Sequence, residues 1–195
     1  MKDPTTIVAL QLICRLLEKN MLDDHRTHMR AALAQAERAL QQGAFPVGCV
    51  MTYKKKIICS GRREITFGPS ANEIDHAEIQ AIRSLFHEHP GINTSRITVY
   101  STMEPCLMCY ATLLLNGFRK IVYAFEDVMG GGTNLDLSTL NPLYRDMKVQ
   151  IVPGVCRDES LALFKTFFSD PRNSYWQESL LAKHILEQKL PEGLK

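Results

Sequence analysis

At 195 residues and 45% hydrophobic content, the chain can bury a sizeable core as one domain with extensions. Lys and Arg total 23 against 21 Asp and Glu, and a net charge of +2 excludes a general field for gathering a polyanion, so any nucleic-acid contact would rest on a local patch. No window approaches the roughly 18 apolar residues of a membrane span, and six cysteines in a chain of ordinary composition suit a reduced compartment, so we expect a soluble, cytoplasmic protein.

The elements follow in chain order. Thr5 to Leu17 has some signal-peptide character, but Gln11 and Arg15 interrupt it, Asp3 precedes it and no small-residue cleavage site follows. Ile7, Leu10, Cys14, Leu17 and Met21 alternate spacings of three and four, which predicts an amphipathic helix packing on its own domain or on a second copy. A second helix is predicted from Thr27 to Gln42, stopped by Gly43. Phe45 to Thr52 and Lys56 to Arg63 then read as a hairpin with Tyr53-Lys54-Lys55 as a solvated, charged tip. Gly68 to Asn72 is loop chemistry, and the spacing of Ala77, Ile79, Ala81, Ile82 and Leu85 returns to helix.

Ile97 to Ser101 predicts a buried strand, Cys106 to Leu115 a helix stopped near Gly117, and Ile121 to Phe125 another strand. That succession favours a parallel pair with a right-handed crossover. Gly130-Gly131-Gly132 is a loop without the Lys-Ser or Lys-Thr of a phosphate-binding turn, and no phosphate role is assigned to it. Val149 to Val152 predicts a strand, Asp158 to Phe168 a helix, and Ser174 to Gln188 a last helix after Pro171.

Two segments carry chemistry. His76-Ala77-Glu78 and Pro105-Cys106-Leu107-Met108-Cys109 offer three zinc ligands, His76, Cys106 and Cys109, and one spare carboxylate, Glu78. A structural zinc fills four protein positions, whereas a hydrolytic zinc keeps one open for water and needs a base that is not a ligand. Cys106 and Cys109, three apart, share the first turn of a helix begun by Pro105, where the helix dipole favours thiolates. His76 and Glu78 are two apart, roughly 200 degrees around a regular helix, so they can share a site only if His76 stands at a helix entrance. The competing readings are a redox pair, a structural zinc site completed by His87 or His89, and Glu78 as a simple N-terminal helix charge.

His-Ala-Glu with Pro-Cys-x-x-Cys resembles the cytidine deaminase-like superfamily. Phe45-Pro46-Val47-Gly48, Thr102-Met103-Glu104-Pro105-Cys106 and Ile121-Val122-Tyr123 resemble its branch containing bacterial tRNA adenosine deaminase, guanine deaminase and yeast-type cytosine deaminase; the order from Asp127 to Phe168 looks most like the tRNA enzyme. The resemblance implies a three-layer α/β/α fold with a five-stranded mixed sheet, as a homodimer with one zinc per chain. It places a deaminase domain at 27–168, between helical extensions at 1–26 and 169–195. It implies hydrolytic attack on an amino-bearing carbon of a nucleobase or nucleoside, Glu78 shuttling the proton, and release of ammonia. The alternatives are a tRNA adenosine-to-inosine deaminase and a non-catalytic partner subunit that keeps zinc for folding.

One departure stands at the end of the second strand. The branch carries Gly-x-Asn there, with the asparagine holding the substrate, and this chain reads Gly61-Arg62-Arg63. Asparagine donates and accepts; arginine only donates and is always charged. Arg63 is therefore either a substrate contact for an oxygen, ring nitrogen or phosphate, or a surface residue. Asp127 is either the substrate-contacting aspartate that the resemblance implies or a loop cap. Phe167, Phe168, Tyr175 and Trp176 either close over the pocket or fill the core.

Overall fold

The computed structural model describes residues 4–193, with side chains described from residue 20. Helix α1 runs Pro4–Gln41 without a break. Two helices meeting at residues 22–26 were the sequence expectation; Leu22-Asp23-Asp24-His25-Arg26 contains neither Gly nor Pro, and nothing there stops the hydrogen-bond ladder. The apolar seam from Ile7 to Leu17 lies outside the described side chains. At the other end Gly43, at φ +77°, closes the helix as the amide of Ala44 donates to the carbonyl of Ala39.

Strands β1 (Gly48–Tyr53) and β2 (Lys56–Arg62) form the hairpin, turning through Lys54 and Lys55 at φ 50° and 64°. Both central residues are left-handed, the backbone of a tight primed turn, here without the glycine that usually relieves it. Helix α2 (Ala77–Glu88), strand β3 (Ile97–Met103), helix α3 (Leu107–Leu115) and strand β4 (Lys120–Phe125) follow, then the one-turn α4 (Pro142–Arg145), β5 (Gln150–Val152) and α5 (Arg157–Ser169). The sheet order is β2-β1-β3-β4-β5, with β1 antiparallel to both neighbours and β3, β4 and β5 parallel.

Helices α1 and α5 cover one face and α2 and α3 the other, which gives three layers. On the first face Met29, Ala32 and Leu33 pack on Val50, Tyr100, Val122 and Ala124. Two glycines set how closely the helices approach. A Cβ on Gly48 would lie 2.2 Å from the Ala32 carbonyl of α1, and one on Gly61 would lie 2.2 Å from the Ala77 carbonyl of α2. No side chain larger than hydrogen fits either contact without moving a helix.

The last helix, α6, spans Leu180–Glu187 rather than the expected Ser174 to Gln188. Asn173 Oδ1 accepts from the Tyr175 amide at 2.8 Å, Trp176 sits at φ 51°, and Ser179 caps Ala182 at 3.1 Å, so the chain turns before it coils. Among the described residues, no helix is long and apolar enough to cross a membrane.

Candidate active site

Two helix N-termini meet at the C-terminal end of β3. His76 is the N-cap of α2, with extended backbone at φ −69° and ψ 157°, and Cys106 is the N-cap of α3 at φ −64° and ψ 169°. Because His76 stands before the first helical residue, its ring and the Glu78 carboxylate reach the same space, as the spacing required. Cys106 Sγ and Cys109 Sγ lie 3.5 Å and 3.4 Å from His76 Nδ1. Bond lengths of about 2.3 Å to sulfur and 2.05 Å to nitrogen at a tetrahedral angle give a ligand-to-ligand edge of about 3.6 Å, so the three donors are spaced to hold zinc. They are the group of potential metal donors found among the described residues, all within 4.8 Å of one another.

The donors are not equally poised: the Cys109 thiol is pushed far up by the Cys106 sulfur, burial and Glu78, and His76, against burial, is raised to about 8 by Cys106 and Glu78. The Cys106 thiol is drawn down to about 4, first by the Cys109 sulfur and, against the opposing effect of burial, by the His76 ring, so it is a thiolate at neutral pH. Glu73 Oε2 meets His76 Nε2 at 3.3 Å, an outer partner that fixes the ring with Nδ1 toward the thiols. Glu78 is 3% exposed and makes no fourth corner of the triad. Ser101 Oγ donates to its Oε1 at 2.9 Å, and Cys109 Sγ lies 3.5 Å from Oε2. Burial raises the proton affinity of this carboxylate, partly offset by His76.

The cavity in front of these groups is about 80 Å³, with walls that include Phe45, Val47, Met103 and Leu181. Arg63 and Asp127 both line it. Arg63 is 2% exposed rather than a surface residue. It donates through Nε to the Ile65 carbonyl at 3.0 Å and through Nη2 to Glu73 at 3.2 Å. Asp127 Oδ1 accepts from the amides of Met129 and Gly130 at 3.0 and 2.9 Å, so it caps its loop while facing the cavity. The four C-terminal aromatics divide: Phe167 and Phe168 are core, while Tyr175 and Trp176, stacked at 5.1 Å and 6°, close the rim. Tyr175 Oη donates to the Glu73 carboxylate at 3.2 Å, which ties the rim to Arg63 and His76.

Several residues of the site were not singled out by sequence. Ser101 was legible only as a hydroxyl in an otherwise buried strand. Glu73 lies in the segment between the second strand and His76, where no pattern guided a reading. Glu104 is 4% exposed and binds the Asp127 amide at 3.1 Å and the Thr133 amide at 3.2 Å, fastening the glycine loop to the cysteine turn. A Cβ on Gly131 would lie 2.5 Å from Glu104 Oε2, so these glycines serve close packing.

A mixed sheet with helices on both faces, two helix entrances presenting one imidazole and two thiols, and a buried spare carboxylate define the zinc-dependent hydrolases of amino groups on heterocycles. Residues 22–125, just over half of the chain, match the family described as the cytidine and deoxycytidylate deaminase zinc-binding region, and the chain belongs to it. A tRNA-specific adenosine deaminase of Streptococcus pyogenes is 27% identical over 168 residues, covering 86% of this chain and 95% of that one. The tRNA-specific adenosine deaminase subunit tad2 of Schizosaccharomyces pombe is 30% identical over 144 residues, which is 74% of this chain but 37% of that relative. This chain thus spans little more than a third of the fission yeast protein. A solved structure from studies of A-to-I editing by tRNA:A34 deaminases superposes with a TM-score of 0.59 at 24% identity, covering 70% of this chain and 98% of that one, and shows the fold. The family uses zinc and hydrolyses carbon–nitrogen bonds.

Proposed function

We propose that the chain deaminates an amino-bearing nucleobase or nucleoside to its oxo form, with His76, Cys106 and Cys109 holding the zinc and Glu78 carrying the proton. The observation that carries this reading is Glu78 itself: a buried carboxylate beside the donor triad, not part of it, and oriented by Ser101. When bound, zinc lowers the pKa of a coordinated water toward neutrality. Glu78 takes the proton that water loses and delivers it to the departing amino nitrogen; one water is consumed and one ammonia released. Its raised proton affinity lets it keep the proton between the two transfers. Ser101 holds Oε1, and Oε2, 3.5 Å from Cys109 Sγ, is the oxygen on the side of the metal donors.

Arg63 and Asp127 are the proposed substrate contacts, since both line the cavity. Two hydrogen bonds of Arg63 are spent on Ile65 and Glu73, and its remaining donors suit an acceptor edge of the base. The small volume and the Tyr175–Trp176 rim favour a free base or nucleoside. The second reading, adenosine in a tRNA loop, draws on what the relatives are named for and requires the rim to open around a splayed base. Ammonia release from zinc-loaded protein across bases, nucleosides and nucleotides, run beside inosine formation in tRNA, decides between them. Turnover confined to tRNA overturns the first reading, and turnover confined to free bases overturns the second.

The same proposal treats 27–168 as the deaminase domain, with 1–26 and 169–195 as extensions, the latter lending Tyr175, Trp176 and Leu181 to the pocket. A homodimer is supported by the exposed Ile74, Phe86, Leu107 and Leu115 on and beside α2 and α3, and light scattering after size exclusion tests it. A cytoplasmic location is supported by the free thiols of Cys49, Cys59, Cys106, Cys109 and Cys156.

A further inference from the structure

Behind the zinc donors, on the α1 face of the sheet, lies a second pocket of about 360 Å³ between the Asn20 to His28 stretch of α1 and the starts of β3 and β4. Tyr100 and Ser101 show how the faces divide: Ser101 reaches Glu78 on one side, and Tyr100 meets His25 Nδ1 at 2.8 Å on the other. Lys54, Lys55, Arg96 and Lys120 line the pocket with Asp24 as its one carboxylate, and Lys55 pairs with Asp24 at 2.6 Å. Among the described residues, Lys54, Arg96 and Lys120 make no ion pair. Tyr53 holds two of them near the mouth, with Arg96 at 5.8 Å and Lys54 at 5.5 Å from its ring centre.

The wall adds an independent sign. His25 and His28 are 5% and 8% exposed, and His25 Nε2 and His28 Nδ1 are buried with no hydrogen-bond partner among the described residues. The other nitrogens are spent: His28 Nε2 donates to the Lys55 carbonyl at 2.9 Å and His25 Nδ1 meets the phenol of Tyr100. With the phenol donating, His25 Nε2 carries an unspent N–H. An unpartnered buried N–H is uncommon in native folds, and the one on His25, in a wall that carries three unpaired cations, calls for an acceptor.

We propose that this pocket binds a phosphate-bearing anion. Three unpaired cations and the His25 N–H outweigh the single charge of a carboxylate, whereas a phosphate carries up to about two negative charges and offers oxygens on several sides. The zinc donors, Glu78 and the cavity in front of them take no part in it. The phosphate can belong to a small molecule or to a nucleic-acid backbone, and the pocket recognises the same group in either.

Calorimetric titration of inorganic pyrophosphate, and separately of a short single-stranded oligoribonucleotide, into the zinc-loaded full chain tests the site. We expect saturable binding of one of them that weakens about tenfold in each of Lys120→Gln and Arg96→Gln, with deaminase activity unchanged. Pyrophosphate binding identifies a small anion as the source, and oligonucleotide binding alone identifies a backbone. Imidazole NMR signals of His25 and His28 should move on saturation in the unaltered protein, a readout independent of the variants. Absence of saturable binding by both, or binding unchanged in the double variant, overturns the proposal. Because the deaminase assay is separate, failure of this site leaves the catalytic reading standing.

Discussion

Replacing Glu78 with glutamine separates proton transfer from everything else the residue does. Glutamine has nearly the same shape, and its amide oxygen can accept the Ser101 hydroxyl that now bonds Oε1 at 2.9 Å, so packing and orientation survive. What is lost is an oxygen able to take and return a proton. General acid–base catalysis contributes about 10²- to 10⁴-fold, so kcat should fall by that factor, roughly 3–5 kcal/mol of barrier. KM should change little, and metal analysis should still find about one zinc per chain, since Glu78 is not a donor. Stability should move the other way. Burial already disfavours the charged form of Glu78, and a neutral amide removes that cost, so the midpoint of urea unfolding at pH 7 should hold or rise. Steady-state ammonia release and a urea melt on one preparation suffice. A variant retaining kcat within about threefold, or losing zinc along with activity, would refute the assignment.

Three further outcomes are expected. Gly61→Ala puts a Cβ 2.2 Å from the Ala77 carbonyl, so α2 must shift at its entrance; activity should drop with destabilisation of about 1–3 kcal/mol, read by kinetics and denaturant melts. The Glu126 carboxyl is held at about 2, because burial, which raises it, is overcome by Arg157 and His184; its contribution is therefore present above about pH 4.5 and lost as pH falls toward 2. The full shift would be worth roughly 3 kcal/mol, reduced to about 1–2 by partial exposure, so Glu126→Gln should cost that much at pH 6 and nearly nothing at pH 2, by paired urea melts. Removing zinc with a strong chelator should abolish turnover and lower the thermal midpoint, both restored by zinc and not by calcium, because two thiolates and an imidazole are soft donors.

What could be read from the sequence was local. His76, Cys106 and Cys109 were legible because helix geometry at a chain entrance dictates which residue types and spacings can converge, and the hairpin and the β3-α3-β4 crossover followed from periodicity. What escaped depends on contacts distant along the chain. Glu73 gains its place only when Tyr175, about a hundred residues later, folds back onto it, and Ser101 is a hydroxyl in a strand until α2 lays Glu78 over it. The continuity of α1 and the late start of α6 turn on single residues: a breaker missing near residue 25 and a left-handed Trp176. Burial excludes the surface reading of Arg63, which the sequence alone left open.

Strand β3 is hydrogen-bonded on both sides, with Thr98, Val99, Tyr100 and Ser101 matched to β1 and to β4. A strand clamped this way cannot slide, and alternate side chains keep to opposite faces. Mutational change along it is consequently partitioned. Variation at Thr98 and Tyr100 can reshape the histidine-lined side while Val99 and Ser101 stay fixed under α2, whereas inserting a single residue would exchange the two sides at once. This strand should tolerate point substitution on one face and almost no change in length.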